Sequence, residues 1–214
     1  MKIFILCGGF GSRLDYEGQL KAKPMVRIGN KPILMHLIET FVRQGFNEFV
    51  FCLGYKSNTI TDFFTSQKKK IKIISNDKNN LKILYKFRDI KFTGNFVNTG
   101  IKVGTGGRVA IAYKKLRLNE DFLVTYGDGL ANIKINKLIK FHYNKKALMT
   151  VTAVRPKEKY GILKFEPNSH RVTQLDETKR KSNIYINGGY FVFSKKIIFN
   201  IKKNNIFFEQ RPLK

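Results

Sequence analysis

The feature that most constrains the fold is an apolar run that ends in a glycine-rich loop near the N-terminus. Residues 2–6 (KIFIL) contain no turn former and predict a buried first strand. Gly8, Gly9 and Gly11 follow, and glycine lets a backbone turn sharply and approach a bulky ligand. Such a turn can direct its N–H groups at phosphate oxygens. The pattern favours an α/β fold with an anion site at the end of this strand, and an ordinary strand-to-helix connection is the alternative.

Two basic residues strengthen the phosphate interpretation. Arg13 supplies a planar guanidinium and Lys23 a mobile ammonium, and both groups suit a polyphosphate. The loop lacks the Lys-Ser or Lys-Thr pair of the common phosphate loop, and it does not match the dinucleotide fingerprint. Residues 15–23 are polar, and we expect them to form a mobile flap over the phosphates.

The composition is that of a basic globular domain. The 214 residues suit one domain with a substantial core, and no apolar run approaches the length of a membrane span. The chain enters a strand without a cleavable leader, and Cys7 and Cys52 lie in apolar runs, so we expect a cytoplasmic protein with reduced thiols. The net charge is +26, but the lysines are dispersed along the chain. We therefore expect anionic small substrates, and neither nucleic acid nor a membrane as partner.

Apolar periodicity predicts alternating strands and helices along most of the chain. Short connections between them imply right-handed crossovers and a mainly parallel, Rossmann-like mixed sheet with helices on both faces. Residues 76–98 break the rhythm, and we expect an excursion of irregular strands there. The predicted strands after the first lie at 48–53, 71–74, 121–126 and a buried 149–154, with a hairpin over 160–165 and 171–175; the predicted helices begin near Lys31, Ser57, Gly107 and Ile135.

Two later stretches place further chemistry near the carboxyl ends of the strands, where ligands of such sheets bind. Residues 104–107 form a second glycine-rich turn that opens a helix, and a base or phosphate could approach its exposed N–H groups. Asp128, held between two glycines after a strand, is well placed for Mg²⁺, which prefers hard oxygen ligands. A plain helix entry and a turn aspartate are the alternatives.

Three linked motifs resemble those of a known family. These are GGFGSR at 8–13, KPMV at 23–26 and GNKPIL at 29–34. Together they resemble the signature of the sugar-1-phosphate nucleotidyltransferases, which have the nucleotide-diphospho-sugar transferase fold. Within that family TGGR at 105–108 looks like the branch that uses CTP, the glucose-1-phosphate cytidylyltransferases.

The resemblance implies that a cytidylyl group passes from CTP to a sugar 1-phosphate, with Mg²⁺ as cofactor. Arg13, Lys23 and Asp128 would be catalytic, and Asp128 would ligate the metal. The family also suggests a homo-oligomer. The implied nucleotide-binding residues are Leu6, Gly8, Gly9, Gly11, Ser12, Arg13, Lys23, Thr105, Gly107, Arg108 and Gly127, and the implied sugar-binding residues are Tyr160, Gly161, Glu177, Lys179, Asn187 and Gly188.

Two departures from the family pattern leave alternatives open. The family's Glu-Lys-Pro is Glu177-Thr178-Lys179 here, with the lysine one position later. The chain ends at Lys214, before the family's segment with a second metal-binding aspartate. We therefore expect residues 1–214 to be a single nucleotidyltransferase domain without that segment. The alternatives are a nucleotide-binding or sugar-nucleotide-binding protein with impaired catalysis, and a pyrophosphorylase that uses UTP or dTTP.

Overall fold

The computed structural model describes residues 1–9, 21–77, 80–156, 162–176, 185–201 and 206–209. The chain divides into two compact units, Met1–Thr150 with Gly189–Lys214 and Val151–Gly188. A layered α/β core lies in the first unit, and a short β-hairpin lies in the second.

The elements follow the predicted alternation of strands and helices. The predicted first helix begins at Ile33 rather than Lys31, because Lys31–Pro32 pairs with Arg27–Ile28. In the described part of the chain, no helix has the length and apolar character needed to span a membrane. The strands are β1 (Ile3–Cys7), β2 (Arg27–Ile28), β3 (Lys31–Pro32), β4 (Glu48–Leu53), β5 (Ile71–Asp77), β6 (Asn80–Phe87), β7 (Ile90–Asn98), β8 (Phe122–Tyr126), β9 (Met149–Val154), β10 (Ile162–Phe165), β11 (Val172–Asp176) and β12 (Ile186–Phe193). The helices are α1 (Ile33–Val42), α2 (Asn58–Thr65), α3 (Thr105–Lys115) and α4 (Ile135–Lys145), with 3₁₀ helices at Lys23–Met25 and Lys195–Asn200.

One large sheet organises the first unit. Its strand order is β5-β6-β7-β4-β1-β8-β12-β9. The central strands are parallel, since β1 pairs with β4 and β8, and β4 pairs with β7. The flanking pairs β5–β6, β6–β7 and β8–β12 are antiparallel. This arrangement confirms the predicted Rossmann-like mixed sheet with a parallel centre.

Helices cover both faces of the sheet, as predicted, and β1 shows why. Successive side chains of a strand point to opposite faces. Ile3, Ile5 and Cys7 pack into a buried cluster with residues of α1, α2 and α4. Phe4 and Leu6 pack into a second cluster with residues of α3. Because β1 is apolar at every position, it is stable only between two helical layers. Burial of each large apolar side chain contributes about 1.5–3 kcal/mol to the stability of the fold.

Within 76–98 the described residues form regular strands, so the prediction of an irregular excursion there is wrong. β6 pairs with β5 on one side and with β7 on the other, and β7 joins β4 in parallel. Leu81, Ile83 and Tyr85 of β6 alternate into the core. The intervening apolar Leu84 hid this period of two in the sequence.

β9 forms as predicted, but it is not the buried strand that its apolar sequence suggested. It lies at the edge of the sheet. Val151 and Val154 are therefore 36% and 47% exposed.

The predicted hairpin of the second unit is confirmed. β10 and β11 are antiparallel, with Leu163 opposite Leu175. The turn between them contains Asn168 with φ 60°, a left-handed conformation that asparagine tolerates better than most residues. The hairpin exposes its apolar side chains Phe165, Val172 and Leu175.

His142 of α4 makes the stability of the first unit sensitive to mildly acidic pH. It is buried, its Nδ1 lies 2.8 Å from the Thr150 hydroxyl, and burial lowers the pKa of the imidazole, partly opposed by Asp121. Because the unfolded chain binds the proton more readily, we expect the free energy of unfolding to fall as pH drops below the ordinary histidine pKa of about 6.5. Urea unfolding between pH 7.5 and 5.5 measures this slope.

The matched variants are His142→Gln and, as control, His170→Gln in the exposed turn before β11. We expect His142→Gln to flatten the slope and His170→Gln to leave it unchanged. Equal slopes in all three proteins would contradict the prediction.

Candidate active site

The carboxyl ends of the parallel strands meet at one edge of the sheet. Gly8 follows β1, Gly54 follows β4, Thr99 follows β7 and Gly127 follows β8. Ligands of open α/β sheets bind outside this edge. It is therefore the candidate active site, and β1 and β8 bring the predicted site residues Gly8 and Gly127 to it.

Arg108 of α3 lies beneath this edge and is only 4% exposed. Burial lowers the pKa of its guanidinium, which nevertheless stays charged. Its terminal nitrogens donate to five acceptors, which are the carbonyls of Gly8 (2.8 Å), Leu53 (3.1 Å), Gly100 (2.6 Å) and Ile101 (2.9 Å) and the hydroxyl of Thr99 (2.9 Å). One side chain thus joins the loops that follow β1, β4 and β7.

Two glycines make room for this guanidinium. A Cβ atom at Gly8 or at Gly54 would overlap the Nη1 atom of Arg108. The first glycine of the loop is therefore needed for close approach of a side chain from below. The sequence predicted close approach of a ligand at Gly8, and the structure shows that a protein group occupies one side of it.

Lys23 and Asp128, both predicted to be catalytic, are brought together. Their side chains form an ion pair, with the lysine 41% and the aspartate 27% exposed. Partial exposure leaves both groups accessible to a ligand. The sequence predicted separate roles for the two residues and gave no sign that they pair, because they are 105 positions apart.

Gly127 accounts for the closeness of this pair. Its N–H donates to the carbonyl of Leu6 at 3.0 Å, which fixes the end of β8 against β1. A Cβ atom here would lie 2.6 Å from the Cγ atom of Pro24 and 3.1 Å from the Leu6 carbonyl oxygen. Only glycine lets the 3₁₀ helix that carries Lys23 and Pro24 pack directly over the end of β8.

Asp128 could supply one carboxylate ligand to a magnesium ion. Magnesium in such sites is bound through one or two carboxylates together with substrate phosphates. Asp128 offers one partly exposed carboxylate at the predicted place. Among the described residues no group of three or more His, Cys, Asp or Glu side chains is assembled for a metal. One carboxylate is a donor set that magnesium sites complete with substrate phosphates.

The N-terminus of α3 is capped by the chain itself, which corrects the prediction of exposed N–H groups there. The N–H groups of Gly106 and Gly107 donate to the carbonyl of Ile206 at 2.9 and 3.2 Å. Phe208 donates its N–H to the Thr105 hydroxyl at 3.0 Å. The sequence missed this contact because it joins segments about 100 residues apart, and no local pattern reveals such a pairing.

Glu209 is a further residue of this region to which the sequence gave no role. It accepts hydrogen bonds from the Thr105 hydroxyl at 2.9 Å and from the Tyr126 hydroxyl at 2.5 Å. Thr105, predicted to bind the nucleotide, is thus bonded to residues 208 and 209. Gly107 lies buried in the first turn of α3.

The two cysteines are structural. Burial raises the pKa of the Cys7 thiol well above its ordinary value and that of Cys52 to about 12. Both are free and buried, so neither supplies a thiolate.

The other predicted site residues are less informative. Gly11, Ser12 and Arg13 lie outside the described residues, as do Tyr160, Gly161, Glu177 and Lys179. Gly9 is exposed after β1. In the second unit Asn187 is exposed on β12, and Gly188 packs against Thr152 and Val154. Sugar binding by these residues stays a prediction.

The fold is of the nucleotide-diphospho-sugar transferase type, the class to which its solved structural neighbours belong. The chain belongs to the nucleotidyl transferase family, which matches residues 2–209. The resemblance seen in the motifs is thereby confirmed.

Named relatives share the whole length of the chain. It is 36% identical over 215 residues to the probable glucose-1-phosphate cytidylyltransferase of Bacillus subtilis, covering 100% of this chain and 83% of the relative. The glucose-1-phosphate cytidylyltransferase of Salmonella typhi is 35% identical over 217 residues, with 100% and 82% covered. The crystal structure of HddC from Yersinia pseudotuberculosis complexed with GMP-PN is 25% identical with a TM-score of 0.69, covering 98% of this chain and 84% of that one.

Proposed function

We propose that this chain is a sugar-1-phosphate nucleotidyltransferase that transfers a cytidylyl group from CTP to glucose 1-phosphate, giving CDP-glucose and pyrophosphate. The observation that carries the proposal is the 36% identity, over the whole chain, to a relative named for this reaction. The pairing of Lys23 and Asp128 at the ligand-binding edge of the sheet supports it independently. Residues 1–214 would act as one nucleotidyltransferase domain.

The reaction needs charge neutralisation more than a base. An oxygen of the sugar phosphate forms a bond to the α-phosphorus of CTP, and the bond between that phosphorus and the bridging oxygen of pyrophosphate breaks. The attacking oxygen is already anionic, so the residues need not remove a proton. Positioning and neutralisation of the reacting phosphates then supply most of the acceleration.

The paired groups suit this chemistry. The Lys23 ammonium can turn from Asp128 to the phosphates, because both side chains are partly exposed. Asp128 would hold the metal, and Mg²⁺, when bound, would neutralise phosphate charge and orient the triphosphate. Gly8 lies where its loop would meet the triphosphate, and Arg108 holds the Gly8 carbonyl. Direct contacts of Gly11, Ser12 and Arg13 with phosphates remain predictions from the family motif.

We further propose that the protein acts in the cytoplasm, for which its two free buried thiols are suited. A homo-oligomer, as the family suggests, is tested by light scattering of the purified chain.

The test of the reaction is a pyrophosphate-release assay with glucose 1-phosphate, Mg²⁺ and, separately, CTP, UTP, GTP, ATP and dTTP. We expect release with CTP at a rate at least about tenfold above that with any other nucleotide, the discrimination that a single well-placed base contact of about 1.4 kcal/mol provides. Chromatography of the CTP reaction should show CDP-glucose in amounts equal to the pyrophosphate.

A parallel reaction without glucose 1-phosphate separates transfer from hydrolysis of the nucleotide. Release with UTP, dTTP or GTP alone would overturn the choice of base and leave the nucleotidyltransferase class intact. Binding of CTP in calorimetry without turnover would favour the alternative of a nucleotide-binding protein with impaired catalysis.

A further inference from the structure

Lys56 lies beside the candidate site, two residues after Gly54, and has no role in the proposal above. It follows β4, and three hydrogen bonds anchor its turn. The N–H of the preceding Tyr55 donates to the Gly8 carbonyl at 3.3 Å, on the glycine-rich loop. The Lys56 carbonyl accepts from the Thr59 hydroxyl at 2.8 Å. That hydroxyl accepts in turn from the N–H of Ala22 at 3.2 Å, beside Lys23. Lys56 is thus held between the two segments that were predicted to bind phosphate.

The backbone at Lys56 is unusual. Its φ is 53°, a left-handed conformation that is uncommon for residues other than glycine and asparagine. Such conformations persist where the surroundings enforce them, and they cluster at functional sites. At Lys56 the bonds to the flanking residues provide that enforcement.

The ammonium of Lys56 is buried and has no hydrogen-bond acceptor within the described structure. It lies 5.0 Å from the centroid of the Tyr55 ring, a cation–π contact that satisfies none of its N–H donors. By contrast, Lys2 and Lys31 each bond to a carboxylate. A buried ammonium without an acceptor is costly, and this cost is removed when an anion binds beside it.

We infer that Lys56 is a phosphate-binding residue of the candidate site, whose ammonium donates to an oxyanion of the bound substrate. The inference rests on the proposed function for the identity of that substrate. The shared chemistry is a phosphate oxygen, supplied by the nucleoside triphosphate or by the sugar 1-phosphate. Asp128 neutralises Lys23 in the free protein, whereas the Lys56 ammonium has no carboxylate partner among the described residues and can donate to an incoming anion.

The test compares Lys56→Met with the unaltered protein and with Lys69→Met, which alters an exposed lysine beyond α2. Methionine keeps an unbranched side chain and removes the charge. Calorimetry measures binding of three probes, which are CTP with Mg²⁺, glucose 1-phosphate, and inorganic tripolyphosphate. We expect Lys56→Met to weaken binding of tripolyphosphate, and of whichever substrate supplies the oxyanion, by roughly tenfold to a hundredfold, the effect of one charge-assisted hydrogen bond. Lys69→Met should change each affinity by less than about twofold.

Thermal unfolding without ligand distinguishes phosphate binding from a structural role. Removing a buried ammonium without an acceptor should leave the melting temperature of Lys56→Met unchanged or raise it. Wild-type affinity of Lys56→Met for all three probes would overturn the inference, as would a loss of affinity that follows a lowered melting temperature. If the unaltered protein binds tripolyphosphate through Lys56 but neither CTP nor glucose 1-phosphate, the inference stands and the proposed function fails. A protein that binds none of the probes would refute both.

Discussion

Replacing Arg108 by methionine is expected to lower the free energy of unfolding by about 3–5 kcal/mol, because several buried acceptors lose a hydrogen-bond donor. Four backbone carbonyls and the Thr99 hydroxyl lose this donor, although the carbonyls of Gly8 and Leu53 keep the N–H groups of Tyr55 and Thr99. Each buried acceptor left without a donor costs roughly 1–3 kcal/mol, less whatever water recovers. For a chain of this size the melting temperature should fall by on the order of 10 °C. Urea and thermal unfolding measure both quantities.

Lysine should not restore the wild-type stability at this position. Its ammonium has three donors on a single atom, whereas the guanidinium spreads its donors over two terminal nitrogens that reach loops on three strands. Lys114→Met is the matched control, since Lys114 is an exposed cation on the same helix. We expect that variant to remain within about 0.5 kcal/mol of the wild type.

A double-mutant cycle with Gly54→Ala tests whether the packing around the guanidinium is the cause. The added Cβ atom would overlap Nη1, so Gly54→Ala alone should destabilise the protein. In the Arg108→Met background the same change should cost at least about 1 kcal/mol less, because the overlapping group is gone. Additive effects of the two substitutions would contradict this account of Arg108.

Loss of Arg108 should also impair ligand binding, although the guanidinium lies below the loop. Without it the Gly8 carbonyl loses its shorter hydrogen bond and keeps the 3.3 Å bond from the Tyr55 N–H, so the start of the glycine-rich loop is held less firmly. The CTP affinity of Arg108→Met, measured at a temperature where the variant is folded, should therefore fall. The family motif predicted a nucleotide-binding role for Arg108, and we propose that Arg108 serves it by holding the Gly8 carbonyl.

The sequence predicted the structure correctly where a pattern of neighbouring residues determined it. The unbroken apolar run of β1 required burial on both faces, and the structure has helices on both sides. The short connections between strands and helices predicted the parallel centre of the sheet. β6 was missed because Leu84 lies between residues that alternate into the core, so the strand did not display a clean period. The residue pattern did not predict how β5, β6 and β7 pair, and the structure was needed to show it.

The site was predictable in its residue types and not in its contacts. Glycines, a lysine and an aspartate at strand ends indicated phosphate chemistry before any fold was known. That Lys23 pairs with Asp128 depends on Gly127 admitting Pro24 over the end of β8, a contact between distant segments. The Ile206 cap on α3 depends equally on tertiary packing. Conformational signals such as the left-handed φ of Lys56 have no counterpart in a residue pattern.

Asp128→Asn is expected to lower the rate of pyrophosphate release by at least about a hundredfold to a thousandfold, the usual effect of removing one group that stabilises charge in the transition state. The free energy of unfolding should change little. Lys23 and Asp128 are 41% and 27% exposed, and an ion pair so exposed contributes about 0–1 kcal/mol. The expected signature is therefore a loss of turnover with nearly unchanged urea unfolding, the reverse of what Arg108→Met should produce in the unfolding assay.

Titration of the remaining activity with Mg²⁺ identifies the function of the carboxylate. If Asp128 holds the metal, Asp128→Asn should need a higher Mg²⁺ concentration for half-maximal rate, whereas Asp62→Asn on the exposed side of α2 should match the wild type. An unchanged rate and unchanged Mg²⁺ requirement in Asp128→Asn would refute the assignment.

Lys23→Met and the double variant complete the comparison. A lower rate in either single variant has two explanations, because each substitution also breaks the ion pair. If the two residues act only on each other, removing both should cost no more than removing either one. If instead each turns to its own partner when substrate binds, Lys23 to the phosphates and Asp128 to the metal, the double variant should be slower than both single variants. We expect the second result. In the free protein the pair neutralises two charges that would otherwise be held unpaired at the sheet edge, and both side chains remain exposed enough to separate.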